Sequence, residues 1–248
     1  RSVVLLKNNN ALPLRSDARI ALVGHLAESS EDMYDFWVAN AKSDPYKPVT
    51  LVEGLKLAGA SFQYAKGYDA SMNTTEALIA EATALAQGAE LVVVNLGISG
   101  KLAGEDRSIA MPEIPEAQIE LLKALKKTGK KIVAVVSAGR PLVLTKAEPY
   151  CDAILYAWIL GTEQGNALAD VIYGKYNPSA KTVMSFPYAV GQIPVYYNHM
   201  NTSRPEATDG QGNWYSRYRD IPNDPLYPFG YGLSYTQFTY ADLKSARN

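Results

Sequence analysis

The chain has 248 residues, 47% of them hydrophobic, which is enough for one large domain or two small ones with a sizeable core. Its 24 basic and 25 acidic residues leave a formal net charge of -1, a balance that calls for neither nucleic acid nor an anionic membrane as a partner. A single cysteine, Cys151, excludes an internal disulfide, and 2 histidines leave little material for a metal site.

The opening stretch, "RSVVLLKNNNALPL", lacks the basic, apolar and small-residue order of a signal peptide. With Arg at position 1 and an abrupt close at "TYADLKSARN", the chain reads as a piece of a longer one. No apolar run reaches the roughly 18 residues needed to span a bilayer.

Five runs then read as buried strands: 19–25, 61–67, 90–97, 131–139 and 153–159. They are almost continuously apolar and rich in Val and Ile, as strands covered on both faces are. Helical patterns fall between them. "PVTLVEGLKLAG" is a short candidate before the second strand. In "NTTEALIAEATALAQGAE", Asn73 is placed to cap and Glu76 to complete a capping box. In "IPEAQIELLKALKKTGKK", Pro115 suits the first turn, Ile119, Leu122 and Leu125 or Lys126 mark the buried side, and Gly129 stops the helix. In "TEQGNALADVIYG", Thr162 is the expected cap and Gly174 the stop. Strand alternating with helix implies an α/β fold: a three-layer sandwich around a mostly parallel sheet of about six strands. After about residue 175 the chain is dense in Pro, Gly, Tyr and Trp. That part reads as an antiparallel edge strand followed by long, ordered, aromatic-rich loops.

Ligands bind at the carboxyl ends of strands in such sheets. The candidate loops therefore start at Gly24, at Gly67, at Gly97, at "SAGRP" (137–141) and at "LGTEQGN" (160–166). No G-x-G-x-x-G follows the first strand and no phosphate-binding G-x-x-x-x-G-K-[ST] is present, so neither a nucleotide cofactor nor any other cofactor is expected. No G-x-S-x-G elbow supports a serine nucleophile. His25 and His199 read as structural or merely exposed.

The loop 97–112, "GISGKLAGEDRSIAMP", stands apart. It is longer than the usual strand-to-helix connection. Its glycines let the backbone fold back on itself. Glu105 lies at its middle with Arg107 two residues on. A positioned carboxyl of this kind can act as a general acid, or it can be a solvated turn. Glycoside hydrolysis needs two carboxylates. Glu163 is at the same sheet edge, where its simpler role is to favour a helix N-terminus.

At these residues the chain resembles the second domain of family 3 glycoside hydrolases, the β-glucosidase and β-xylosidase group, over essentially its whole length. "SVVLLKNNNALPL", "IALVGHLAES", "VTLVEGLK", "YAKGYD", "AELVVVNLG", "GRPLVL", "DAILYAWILGTEQGNALADVIYGKYNPSAKTVMSFP", "GQIPVYYNH" and "LYPFGYGLSYTQFTY" follow in the family's order. The likeness is greatest to bacterial periplasmic-type members, which implies a periplasmic or secreted parent.

The resemblance implies that residues 1–240 form the α/β sandwich, and that 241–248 begin a linker to a possible fibronectin type III-like domain. It implies a preceding TIM barrel that supplies the Asp nucleophile, with the sandwich covering the barrel's active-site face. "AGEDRSIAMPEIPEAQ" supplies Gly104, Glu105, Arg107, Pro112 and Gln118 of the family's acid/base loop, so Glu105 is the expected general acid/base. The segment between Glu105 and Arg107 is shorter than in related sequences, and Ile98 stands where another Glu is frequent. Trp37, Arg107, Trp214 and Tyr215 are the expected substrate-binding residues, the aromatics by stacking on sugar rings. No metal is expected.

Two functions follow. One is the acid/base half of a retaining, exo-acting β-glycosidase acting on oligosaccharides or β-glucosides, inactive without its barrel. The other is a non-catalytic carbohydrate-binding or scaffold domain that has lost the acid.

Overall fold

A computed structural model describes residues 1–34, 38, 46–200, 216–242 and 245. Six strands form one sheet: β1 (Val4–Asn8), β2 (Arg19–Val23), β3 (Ser61–Ala65), β4 (Leu91–Gly97), β5 (Lys131–Ser137) and β6 (Ala153–Tyr156). Their spatial order is β1-β6-β5-β4-β2-β3. All neighbouring pairs are parallel except β1 with β6, which is antiparallel.

The apolar runs of the central strands are continuous because both faces are covered. In β4, Val92 and Val94 enter one core, while Leu91 and Val93 enter the other. Helices α2 (Glu76–Gly88) and α3 (Glu116–Lys126) close the first face with Ala82, Ala86, Ile119, Leu122 and Leu125. Helices α1 (Leu51–Leu57) and α4 (Gln164–Ile172) close the second with Leu51, Leu55, Leu168, Val171 and Ile172. The three-layer α/β sandwich expected from the alternating pattern is therefore present.

Helix α1 begins with a full capping box. The Thr50 hydroxyl accepts from Glu53 N at 3.2 Å, and the Glu53 carboxylate accepts from Thr50 N at 2.8 Å. Helices α1 and α4 meet at glycines. A Cβ on Gly165 would fall 1.9 Å from Thr50 O, and one on Gly54 would fall 2.2 Å from the Gly165 backbone. Neither position leaves room for a side chain.

Three local expectations are corrected. Helix α2 is capped by Thr75, whose hydroxyl accepts from Leu78 N, rather than by Asn73, whose own N–H is taken by Asp69. The N-cap of α4 is Glu163 rather than Thr162. The antiparallel edge strand is Val4–Asn8, not a segment after residue 175. The first run succeeds because Val4 and Leu6 bury on one face and Leu5 on the other. The later segment carries Pro178, Pro187 and Pro194, each of which removes a ladder donor. Among the described residues its strand-like pairings are isolated bridges, such as Phe186 with Tyr227.

Candidate active site

The carboxyl ends of the five parallel strands form one edge of the sheet. Gly97 ends β4 with φ 140°, a backbone angle that suits glycine. Its N–H donates to Gln118 Oε1 at 2.9 Å, and its carbonyl accepts from Gln118 Nε2 at 2.9 Å. Gln118 reaches across from the first turn of α3 and is fully buried. One side-chain amide thus satisfies both polar groups of the residue where strand becomes loop.

The base of the loop is tied to the loop after β2. Asp32 Oδ1 accepts from Ser99 Oγ at 2.6 Å and from Gly100 N at 3.0 Å. Its other oxygen accepts from Ser29 Oγ at 2.7 Å and lies 3.6 Å from His25 Nε2. His25 is therefore part of this buried anchor, and its Nδ1 is buried with no hydrogen-bond partner among the described residues. A short 3-10 turn, Gly100–Leu102, follows.

The tip of the loop carries Glu105. Its side chain is exposed, with no hydrogen bond or ion pair among the described residues. Arg107 is half-buried; its Nη1 donates to Lys101 O at 2.7 Å, and its Nε lies 3.4 Å from Asp106 Oδ1. Arg140, from the loop after β5, donates through Nη2 to Leu102 O at 2.8 Å and to Arg107 O at 2.9 Å. The loops after β4, β5 and β6 converge here: a Cβ on Gly139 would lie 3.1 Å from Ala103 Cβ and 3.4 Å from Ile159 Cδ1.

Beside this turn is an open cavity of about 720 Å³, walled by Ile109, Pro112, Arg140, Tyr196, Tyr197 and Phe229. The rings of Tyr197 and Phe229 stack at 4.4 Å. Trp158, just past β6, holds φ 57° and packs edge-on against Tyr156 at 4.8 Å and Phe186 at 6.0 Å.

Of the site residues expected from the sequence, Glu105 and Arg107 lie together on one turn at the expected sheet edge. Trp37, Trp214 and Tyr215 lie outside the described residues. Glu163 is exposed, and its carboxylate accepts from Asn166 Nδ2 at 2.6 Å, within its own helix start. His199 is exposed. Among the described residues no group of three His, Cys, Asp or Glu side chains is arranged to hold a metal ion. Asp32, Gln118 and Arg140 were not read as site residues; Gln118 was a position of the acid/base-loop motif, Arg140 a member of the "SAGRP" loop, and Asp32 carried no signal beyond its place in the loop after β2.

Chemically, the braced turn offers the carboxyl of Glu105, which has no partner among the described residues. One carboxyl can give or take a proton, but a double displacement needs a second.

The family description "Glycosyl hydrolase family 3 C-terminal domain" matches residues 3–235, and the chain belongs to this family. It is 44% identical to a periplasmic beta-glucosidase of Salmonella typhimurium over 98% of this chain and 34% of that protein. It is 36% identical to a beta-xylosidase of Formosa agariphila, again over 98% of this chain and 34% of the relative. The crystal structure of a beta-glucosidase from Listeria innocua in complex with glucose superposes with a TM-score of 0.87 at 38% identity, covering 95% of this chain and 32% of that one. The chain therefore spans about a third of the length of the relatives it matches.

Proposed function

We propose that this chain is the acid/base-bearing half of a retaining, exo-acting β-glycosidase that removes terminal β-D-glucosyl or related residues from oligosaccharides or glucosides. The nucleophilic Asp comes from a TIM barrel in the rest of the parent protein, which is periplasmic or secreted. A fibronectin type III-like domain follows the linker that begins at 241–248. The observation that carries the reading is Glu105: an exposed carboxyl, without a partner among the described residues, on a braced turn at the sheet edge where ligands bind. Family membership and relatives named beta-glucosidase and beta-xylosidase support it.

In the first step Glu105 gives its proton to the glycosidic oxygen as the C–O bond breaks, and the barrel's carboxylate bonds to the anomeric carbon. In the second step the Glu105 carboxylate takes a proton from water, whose oxygen displaces the enzyme ester and regenerates both groups. Retention requires the two carboxyls to stand about 5 Å apart. A general acid must also be shielded from bulk water. The exposed Glu105 gains that shielding only when the barrel covers this edge. Arg107 orients the turn toward the substrate. Trp37, Trp214 and Tyr215 supply apolar faces on the leaving-group side.

The test pairs this chain with its barrel and compares wild type with Glu105→Gln. The variant is expected to lose about 10²-fold or more on substrates with poor leaving groups, with partial rescue by azide. The chain without its barrel is expected to hydrolyse nothing. Unchanged turnover of natural disaccharides by Glu105→Gln favours the second reading, a non-catalytic carbohydrate-binding domain. The short turn, with Glu105 exposed at its tip, is the observation that supports that alternative.

A further inference from the structure

The turn that bears Glu105 is poorly equipped to hold its own shape. Gly104 has φ 130° and Asp106 has φ 50°, so the acid is flanked by two residues in the left-handed half of backbone space. The glutamate side chain has no anchor of its own among the described residues. Its direction is therefore set by whatever fixes the turn's two shoulders.

We infer that Arg140 is the positioning residue of the acid/base: its guanidinium clasps both shoulders of the turn and so aims Glu105. A single nitrogen, Nη2, donates to Leu102 O at 2.8 Å on one side of the acid and to Arg107 O at 2.9 Å on the other. Arg107 adds a second tie from its Nη1 to Lys101 O at 2.7 Å.

Arg140 is in turn fixed from below. The Tyr156 hydroxyl donates to Arg140 O at 2.6 Å and accepts from Leu142 N at 3.2 Å. Tyr156 is fully buried at the end of β6, its ring held edge-on by Phe186 at 4.8 Å. A continuous line of contacts runs from the sheet through Tyr156 and Arg140 to the turn. Arg140 forms no ion pair with a carboxylate among the described residues. Its charge is directed at backbone carbonyls, and the two hydrogens on one arm of its planar fork, Nη2, serve both acceptors.

This inference rests on Glu105 being the acid/base and adds what holds it in place. The experiment uses the intact glycosidase carrying this chain. It compares Arg140→Ala, Arg140→Lys and Glu105→Gln with wild type on aryl and alkyl β-glucosides of graded leaving-group basicity. The quantity read is kcat/KM, with melting temperature as the check on folding.

A misaimed acid hurts only leaving groups that need a proton. Arg140→Ala is expected to lose roughly 10- to 100-fold on alkyl glucosides, and no more than about 3-fold on dinitrophenyl glucoside. Arg140→Lys keeps the cation but not the fork, and is expected to fall between. If the Ala variant fails to fold, the Lys variant carries the same comparison. An equal loss across all substrates, or none, with Glu105→Gln remaining selective, overturns the role of Arg140 and leaves that of Glu105 standing. A Glu105→Gln profile that is flat across leaving groups overturns both.

Discussion

At the scale of single residues, the site depends on polar side chains that satisfy backbone groups. Gln118 is the clearest case. It is fully buried, and replacing it with Leu keeps its bulk while leaving the Gly97 N–H and carbonyl unpaired in an apolar setting. Each lost partner costs about 1–3 kcal/mol. Gln118→Leu is therefore expected to destabilise the chain by about 2–4 kcal/mol, measurable as a lower urea midpoint. A shift within error would show that the amide pair is dispensable. Glu105 was legible because a long, glycine-rich loop and a family motif both point to it. Gln118 was legible as a position of that motif but not as the clamp on Gly97, and Asp32 and Arg140 were not legible. Their partners lie 21, 67 and 38 positions away in sequence, and no local pattern encodes such pairings.

At the scale of elements, α1 and α4 approach closely enough to exclude side chains at their crossing. Gly165→Ala in an isolated helix would be favourable by about 1 kcal/mol. Here the added Cβ meets Thr50 O at 1.9 Å, and Thr50 is the residue whose capping box starts α1. The obstacle is backbone, which cannot rotate aside. The substitution must push the helices apart, at a cost of about 3 kcal/mol or more once propensity is offset. Thermal melting is expected to show a clear drop, and a rise would contradict the crossing.

Most elements could be read in advance, because runs such as "KIVAVV" and "LVVVNL" bury on both faces and so read as unbroken, Val-rich apolar stretches. The edge strand could not be placed, since an antiparallel partner is chosen by the path of the chain and not by hydrophobicity. The cap of α2 slipped by two residues because Asn73, Thr74 and Thr75 all have capping side chains, and it is Thr75, with extended backbone, whose hydroxyl accepts from Leu78 N.

At the scale of the whole molecule, the core under α2 and α3 encloses weak acids that ionise only with difficulty. Burial pushes the Cys151 thiol up to about 12, and it raises the phenols of Tyr68 and Tyr156 above their usual range. In the unfolded chain the thiol ionises near 9.0 and the phenols near 10.0. Between those values and the raised ones the unfolded state holds fewer protons, so stability falls as pH rises. Urea unfolding at pH 8 and pH 10.5 is expected to show a distinctly lower midpoint at the higher pH. Equal midpoints would mean that these groups open to solvent without global unfolding. The overall layering was legible from the alternation of strand and helix. The cavity beside the Glu105 turn was not, because Ile109 and Phe229, both in its wall, are far apart in sequence.

The pairing of Leu233 with Leu5 has a consequence for engineering. The first strand and the last long segment of the domain run side by side, so polypeptide attached before the one and after the other departs from neighbouring points. Such a module can be spliced into a host protein through two adjacent junctions without stretching the host. It can also be circularly permuted with a short linker, opening new ends at the exposed Gly129 turn on the far side of the loop that carries the acid from its own α3 start.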